Sequence, residues 1–501
     1  MPSVLDQRSS GLILHPTSLP GPFGIGDLGP AADAWVDWLA ETGCRYWQVL
    51  PLGPTGYGDS PYQSFSAFAG NPYLVSPEQL VSEGLLDPEA LEQRPRFPAR
   101  RVDYGRVIPW KLGLLDRAHE RLPNVGASLR TAFVRFRDEQ AHWLEDYSLF
   151  MALKAEHGGG SWADWPREIR RREAGALRSA RDRLGAEAAR HAFRQFLFFH
   201  QWARVRDQAD DAGLQIIGDI PVYVAPDSAD VWSHPELFLL DDDRRPTVVA
   251  GVPPDYFAET GQLWGNPIYD WETHAASGFS WWIDRLATLR ELVDVVRIDH
   301  FRAFADYWEI PTGSPTAEEG RWVDGPGKLF FATVSAALGE LPIIAEDLGE
   351  LHDVVPELLE AVGLPGMKLL QFAFDGDPDN PFLPENHPEN CVVYTGTHDN
   401  QTITGWYASL DEAERRRVDR RLATGPETIV RDMIEAAWES RAILAVTPMQ
   451  DVLELGDEAR MNRPGTLGGN WTWRVTARAL SPVRARRLAV LNRRTGRHRP
   501  G

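Results

Sequence analysis

Along this chain, short runs of apolar and β-branched residues alternate with longer stretches in which apolar positions recur at helical spacing. Eight short runs stand out: "GLILHP" (11–16), "YWQVLPL" (46–52), "LQIIGDIPVYV" (214–224), "DVVRIDH" (294–300), "LPIIAEDLG" (341–349), "GMKLLQFAF" (366–374), "CVVYTGTHDN" (391–400) and "AILAVTPMQDVL" (442–453). Such near-continuous apolar runs suit strands buried on both faces, as in a parallel sheet. Between them, "AADAWVDWLAETG" (31–43), "AFRQFLFFHQWARVRDQADDAG" (192–213), "SWWIDRLATLRELV" (280–293), "LFFATVSAALGEL" (329–341), "LHDVVPELLEAVG" (351–363) and "ETIVRDMIEAAWESRA" (427–442) read as amphipathic helices. Eight strands alternating with helices predict an α/β fold, a (β/α)₈ barrel; an open doubly wound sheet is the structural alternative.

A bare barrel takes about 250 residues, so roughly half of this 501-residue chain must be insertion. The spacing predicts one barrel domain over 1–501 with three insertions. Residues 53–195 read as a mostly helical subdomain, patterned in Arg and Glu. Residues 225–278 hold a Pro/Gly/aromatic loop, "VAGVPPDYFAETGQLWGNPIYDW", too long for a mere connector. Residues 454–473 carry a third loop, "GDEARMNRPGTLGGNWTW". The arginine-rich end, "RVTARALSPVRARRLAVLNRRTGRHRPG", predicts a helix packed on the barrel and a frayed tail.

Composition narrows the function. The net charge of −20 argues against a broad nucleic-acid-binding face. Two cysteines make no disulfide framework, and no CxxC marks a zinc site. The first residues lack the apolar core of a signal peptide, and no run is long enough for a membrane span. A cytoplasmic protein with no membrane partner is expected. Nineteen tryptophans are many; most should pack the core, while some suit stacking on pyranose rings.

The acids carry the chemistry. Asp219 lies on the third run, Asp299 ends the fourth, Glu346 and Asp347 end the fifth, and Asp399 ends the seventh. In a barrel these ends share one rim, which holds the active site. Clustered carboxylates with aromatics and no metal signature suit glycoside cleavage: one acid protonates the leaving oxygen while a carboxylate attacks the anomeric carbon or activates water. In "DVVRIDHFRAF" (294–304), Arg297 lies two residues before Asp299 and so shares its face of the strand. It would hold Asp299 ionised and aimed. Metal-assisted hydrolysis would want more strand-end histidines than His15 on the first strand. "GIGDLG" (24–29) matches a dinucleotide fingerprint, but "TSLPGPF" separates it from the strand, so a glycine-rich rim loop is the plainer reading. No cofactor and no metal are expected.

The motifs "VVRIDHFRAF", "IIAEDLG" and "YTGTHDNQT" resemble those of the 4-α-glucanotransferases, the amylomaltase or disproportionating family related to α-amylases. "LHPTSLPGPFGIGDLG", "GDSPYQSFSAFAGNPYLV", "GDIPVYVAPDSADVW", "GVPPDYFAETGQLWGNPIYDW" and "GMKLLQFAFDG" are similar to that family as well, in the same order, over roughly 11–475. The resemblance implies a retaining double displacement on α-1,4-glucans such as maltodextrins, amylose and glycogen, with glucose or a glucan as acceptor. It implies Asp299 as nucleophile, Glu346 as general acid/base, Asp399 as the third acid stabilising the distorted sugar, and Arg297 as the nucleophile's partner. It further implies sugar contacts from His398, Asp219, Ser60 and Tyr62 of "SPYQ", Gln262, Trp264, Asp375 and Asn462. The family lacks the C-terminal all-β domain of amylases, and a monomer is expected. Two other readings stay open: an amylase-like hydrolase with water as acceptor, and a glucan-binding protein without turnover. Transfer requires a covered site, and the aromatic loops at 251–271 and 459–473 are the candidate cover.

Overall fold

In the computed structural model, which describes residues 5, 7–254, 259–349 and 354–498, all eight apolar runs become strands of one closed parallel barrel. Numbering every strand in chain order, the barrel contains β1 (Ser9–Ile13), β2 (Tyr46–Gln48), β3 (Gln215–Pro221), β6 (Val295–Asp299), β9 (Ile343–Ala345), β10 (Gly366–Leu369), β11 (Cys391–Tyr394) and β12 (Leu444–Pro448), adjacent in that order, with β12 closing on β1. The strands are shorter than the apolar runs, because each run continues into the loop that builds the rim. Register aligns that rim. Asp219 on β3 is the partner of Arg297 on β6, and Pro221 is the partner of Asp299. Ile298 pairs with Ala345 on β9, so Glu346 follows at the level of Asp299.

The surrounding helices lie close to their sequence-read positions: Pro30–Glu41, Ser280–Leu292, Gly327–Leu338, Ile429–Glu439 and Pro482–Arg494. The helix read at 351–363 is described from Val354 to Val362, its first residues lying outside the described ones. The helix read from 192 is the second half of Ala174–Asp211, a 38-residue helix. It starts among the helices that follow β2 and ends at the turn before β3, so one element joins the 53–195 segment to the barrel wall. No strand follows β12 among the described residues.

Two expectations need correction. The 225–278 segment is not all loop. It supplies β4 (Val248–Val252) and β5 (Gln262–Pro267) to a four-stranded antiparallel sheet, completed by β7 (Asp306–Pro311) and β8 (Arg321–Asp324) in the order β5-β4-β7-β8. Gly251 permits this pairing, since a Cβ there would stand 2.2 Å from the Gln262 carbonyl oxygen. Part of the loop between β4 and β5, residues 255–258, lies outside the described residues. The C-terminal tail is not simply frayed either. Arg497 is fully buried and donates to the carbonyls of Ser9, Trp438, Ser440 and Ala442, tying the tail beneath β1 and β12.

Trp35, Trp47, Trp202, Trp232, Trp282 and Trp438 are all fully buried. Trp47 packs between Trp35 and Trp202, at ring distances of 6.1 and 5.9 Å. Core packing therefore explains these six. Among the described residues, no helix is long and apolar enough to cross a membrane.

Candidate active site

The rim at the C-terminal ends of the barrel strands opens into a cleft of about 820 Å³. Asp299 and Asp399 line it, with Ser60, Tyr62, Gln262, Trp264, His398, Asn462 and Trp471. Arg297 sits beneath, 4 % exposed, and one of its nitrogens serves both neighbouring acids. Nη1 donates to Asp219 Oδ1 and Oδ2 at 2.7 Å and to Asp299 Oδ1 at 2.9 Å. Burial disfavours the guanidinium's charge, but Asp219 and Asp299 outweigh it and hold Arg297 firmly protonated. The Tyr62 hydroxyl donates to Asp219 Oδ2 at 2.8 Å, and burial, with Asp219 beside it, pushes the phenol's pKa well up. Asp219 is thus committed to Arg297 and Tyr62, whereas Asp299 turns an oxygen to the cleft, its side chain 29 % exposed.

Glu346 lies in a different environment. It accepts from the His300 backbone N–H through Oε2 at 2.7 Å and from the Leu348 N–H through Oε1 at 3.2 Å. The first bond requires an unusual backbone: His300 is left-handed, with φ 53° and ψ 51°, a conformation uncommon outside glycine. Burial, and then the negative charge of Asp299, raise the Glu346 pKa to about 7. Two carboxyls therefore stand on one rim: Asp299 lines the cleft and is paired with an arginine, while Glu346, at the same level but outside the cleft lining, is poised to carry a proton near neutrality. Burial lowers the His300 imidazole to about 4 and keeps it neutral. Its ring meets Trp264 edge to face at 4.8 Å.

The loop after β11 supplies the third acid. Asp399 accepts from Asn462 Nδ2 at 2.7 Å, and His398 Nε2 lies 3.4 Å from the same oxygen. The His398 ring stacks on Tyr62 at 5.1 Å and 15°. Asp375 stands apart: it does not line the cleft, and its carboxylate accepts from Asp377 N and Asn380 Nδ2 of its own loop. Gln262 accepts from the Trp264 indole N–H at 3.1 Å, so these two support each other on the rim.

A family profile described as 4-alpha-glucanotransferase, glycoside hydrolase family 77, matches residues 14–480. The chain belongs to the 4-alpha-glucanotransferase family. The enzyme is 53 % identical to the 4-alpha-glucanotransferase of Thermus thermophilus over 98 % of this chain and 99 % of that one. It is 48 % identical to the Synechocystis enzyme of the same name, over 99 % of each chain. In three dimensions it matches an amylomaltase from Streptococcus agalactiae, solved with acarbose, at a TM-score of 0.95 and 39 % identity, covering 98 % of this chain and 100 % of that one. It is an enzyme of α-1,4-glucan transglycosylation.

Sequence reading missed three contributors. Trp471 closes an aromatic group with Tyr62 and His398, at 5.7 and 5.9 Å, and does so with a positive φ of 60°. Arg460 donates to the Asp399 carbonyl at 2.9 Å. The His300 backbone N–H holds Glu346. The asparagine and tryptophan of "NWTW" were visible in the sequence; the conformations that make Trp471 and His300 useful were not.

Proposed function

We propose that the cleft performs a retaining double displacement in which Asp299 is the nucleophile and Glu346 the acid/base. In the first half, the Glu346 carboxyl gives its proton to the glycosidic oxygen as the Asp299 carboxylate bonds to the anomeric carbon. The C1–O bond breaks, and the free reducing-end glucan leaves. In the second half, the 4-hydroxyl of an acceptor glucose or glucan attacks C1, its proton passes to Glu346, and the bond to Asp299 breaks. Two inversions return the α configuration.

The observation that carries this reading is the division of labour on one rim. Arg297 stabilises negative charge at Asp299, whereas burial keeps Glu346 able to hold a proton. Asp399, with Asn462 and His398 around one oxygen, is the acid that receives sugar hydroxyls as the ring flattens. Tyr62 and Trp264 offer stacking faces, and Ser60 and Gln262 polar atoms at the cleft wall. Water is the competing acceptor, and the loops carrying Trp264 and Asn462 are the cover that favours a sugar.

Incubation with an α-glucosyl fluoride tests the assignment. Fluoride needs no proton to leave, so Glu346→Gln should retain the first half-reaction and accumulate glycosylated Asp299, visible by mass spectrometry. Asp299→Asn should yield no adduct. An adduct on another residue would overturn the nucleophile assignment.

A further inference from the structure

The loop after β11 carries His398 and Asp399, yet neither end of it is held by the barrel ladder alone. Thr395 N bonds to the Val446 carbonyl at 3.3 Å, at the limit of the β11–β12 pairing. Beyond it the chain leaves the sheet until the helix Ile403–Ser409 begins. A single buried side chain from the helical turn Met449–Val452, directly after β12, spans this gap. Asp451 follows β12 and is 2 % exposed. Its Oδ2 accepts from the Thr395 hydroxyl at 3.1 Å, and its Oδ1 accepts from the Ile403 backbone N–H at 2.8 Å. One carboxylate thus fixes the entry and the exit of the segment 395–403. Secondary ties lie inside it: Gln371 Nε2 donates to the Gln401 carbonyl at 2.9 Å, and Asn400 Oδ1 accepts from Thr397 N and Oγ1.

We infer that Asp451 is a positioning residue for the reaction: its carboxylate clamps both ends of the 395–403 loop and so sets where Asp399 meets the sugar. The inference rests on the role proposed for Asp399. Asp451 touches no part of the open cleft, and nothing about packing requires an acid there. A buried carboxylate is costly unless its bonds are needed; burial raises its pKa to about 7. A leucine of similar size would fill the space and remove both bonds. An asparagine would keep them, because its carbonyl oxygen accepts from Ile403 N–H while its amide donates to a rotated Thr395 hydroxyl.

These alternatives give the test. On maltotriose, Asp451→Leu should lower kcat by about a hundredfold, the scale of a misplaced reacting group, while KM changes little, because Tyr62, Trp264 and the other cleft walls are untouched. Asp451→Asn should restore kcat close to the parent value. Thr395→Val removes one bond and should lower kcat by a smaller factor, and it should add nothing in the Asp451→Leu background. Equal losses in Asp451→Asn and Asp451→Leu, additive losses in the double variant, or an unchanged kcat in Asp451→Leu with only a lower Tm would each overturn the inference. If Asp451→Leu does not fold, Asp451→Asn and Thr395→Val decide alone: an unchanged kcat in Thr395→Val overturns it. Asp399→Asn separates the two claims. If it keeps full activity, the role given to Asp399 fails; if it loses activity while Asp451→Leu does not, only the clamp fails.

Discussion

Two carboxyls on one rim differ in what surrounds them, and that difference predicts a pH profile. In the proposed mechanism Glu346 is the acid, so it must be protonated to cleave a natural glucan. With its pKa near 7, the protonated fraction falls as pH rises through about 7, so kcat/KM on maltotriose should show a basic limb there. Glu346→Gln assayed on a glucosyl fluoride should lack that limb, and a limb that persists would assign it to another group. Arg297 supports a second prediction, on stability. It is buried with Asp219, whose side chain is wholly unexposed. Arg297→Met would leave that acid without its cation, at a cost of about 3–5 kcal/mol, measurable by urea denaturation at pH 7. A loss under 1 kcal/mol would show that Tyr62 alone suffices for Asp219. Many of these residues were legible in the sequence, because strand-end acids converge in any barrel. His300 and Trp471 were not: each acts through a left-handed backbone that no residue pattern announces.

At the scale of elements, the eight barrel strands were legible because both of their faces are buried, which leaves an unbroken apolar run. The four-stranded sheet was hidden. Its strands are no shorter than those of the barrel, but β5 and β8 are partly exposed and so leave no unbroken apolar run, and β4 pairs with β7 across the intervening β6 in the chain. This sheet is what presents Gln262 and Trp264, since β5 begins at Gln262. The segment from Asn462 to Trp471 also lines the cleft and contains Gly465, Gly468 and Gly469, all at positive φ, and an exposed Leu467. Both elements line the cleft, and the proposed mechanism makes them its cover against water. Trp264→Ala should therefore raise the share of hydrolysis several-fold relative to transfer, read as free glucose formed per longer oligosaccharide from maltotriose. An unchanged ratio would remove Trp264 from the cover.

At the scale of the whole molecule, the barrel is closed by chain segments far apart in sequence. Arg497 gathers carbonyls from both β1 and the segment leading into β12, a role invisible in an arginine-rich end that reads as a packed helix with a frayed tail. Arg497→Met should leave several buried acceptors unpaired and lower stability by at least about 3 kcal/mol, with kcat per folded molecule unchanged; a normal Tm would show the tail to be dispensable. The long helix Ala174–Asp211 likewise couples the helical insertion to the wall that carries Asp219. Insertion and barrel therefore belong to one framework, in which distant segments place acids on a single rim.

In the proposed mechanism this rim transfers glucan through Asp299 rather than delivering it to water. Chromatography of maltotriose products over time, for the parent enzyme beside Asp299→Asn, separates the two. Transfer through Asp299 gives glucose and a growing ladder of longer α-1,4-linked maltodextrins from the parent, and no change with Asp299→Asn. Glucose and maltose alone from the parent, or a ladder from the variant, would contradict it.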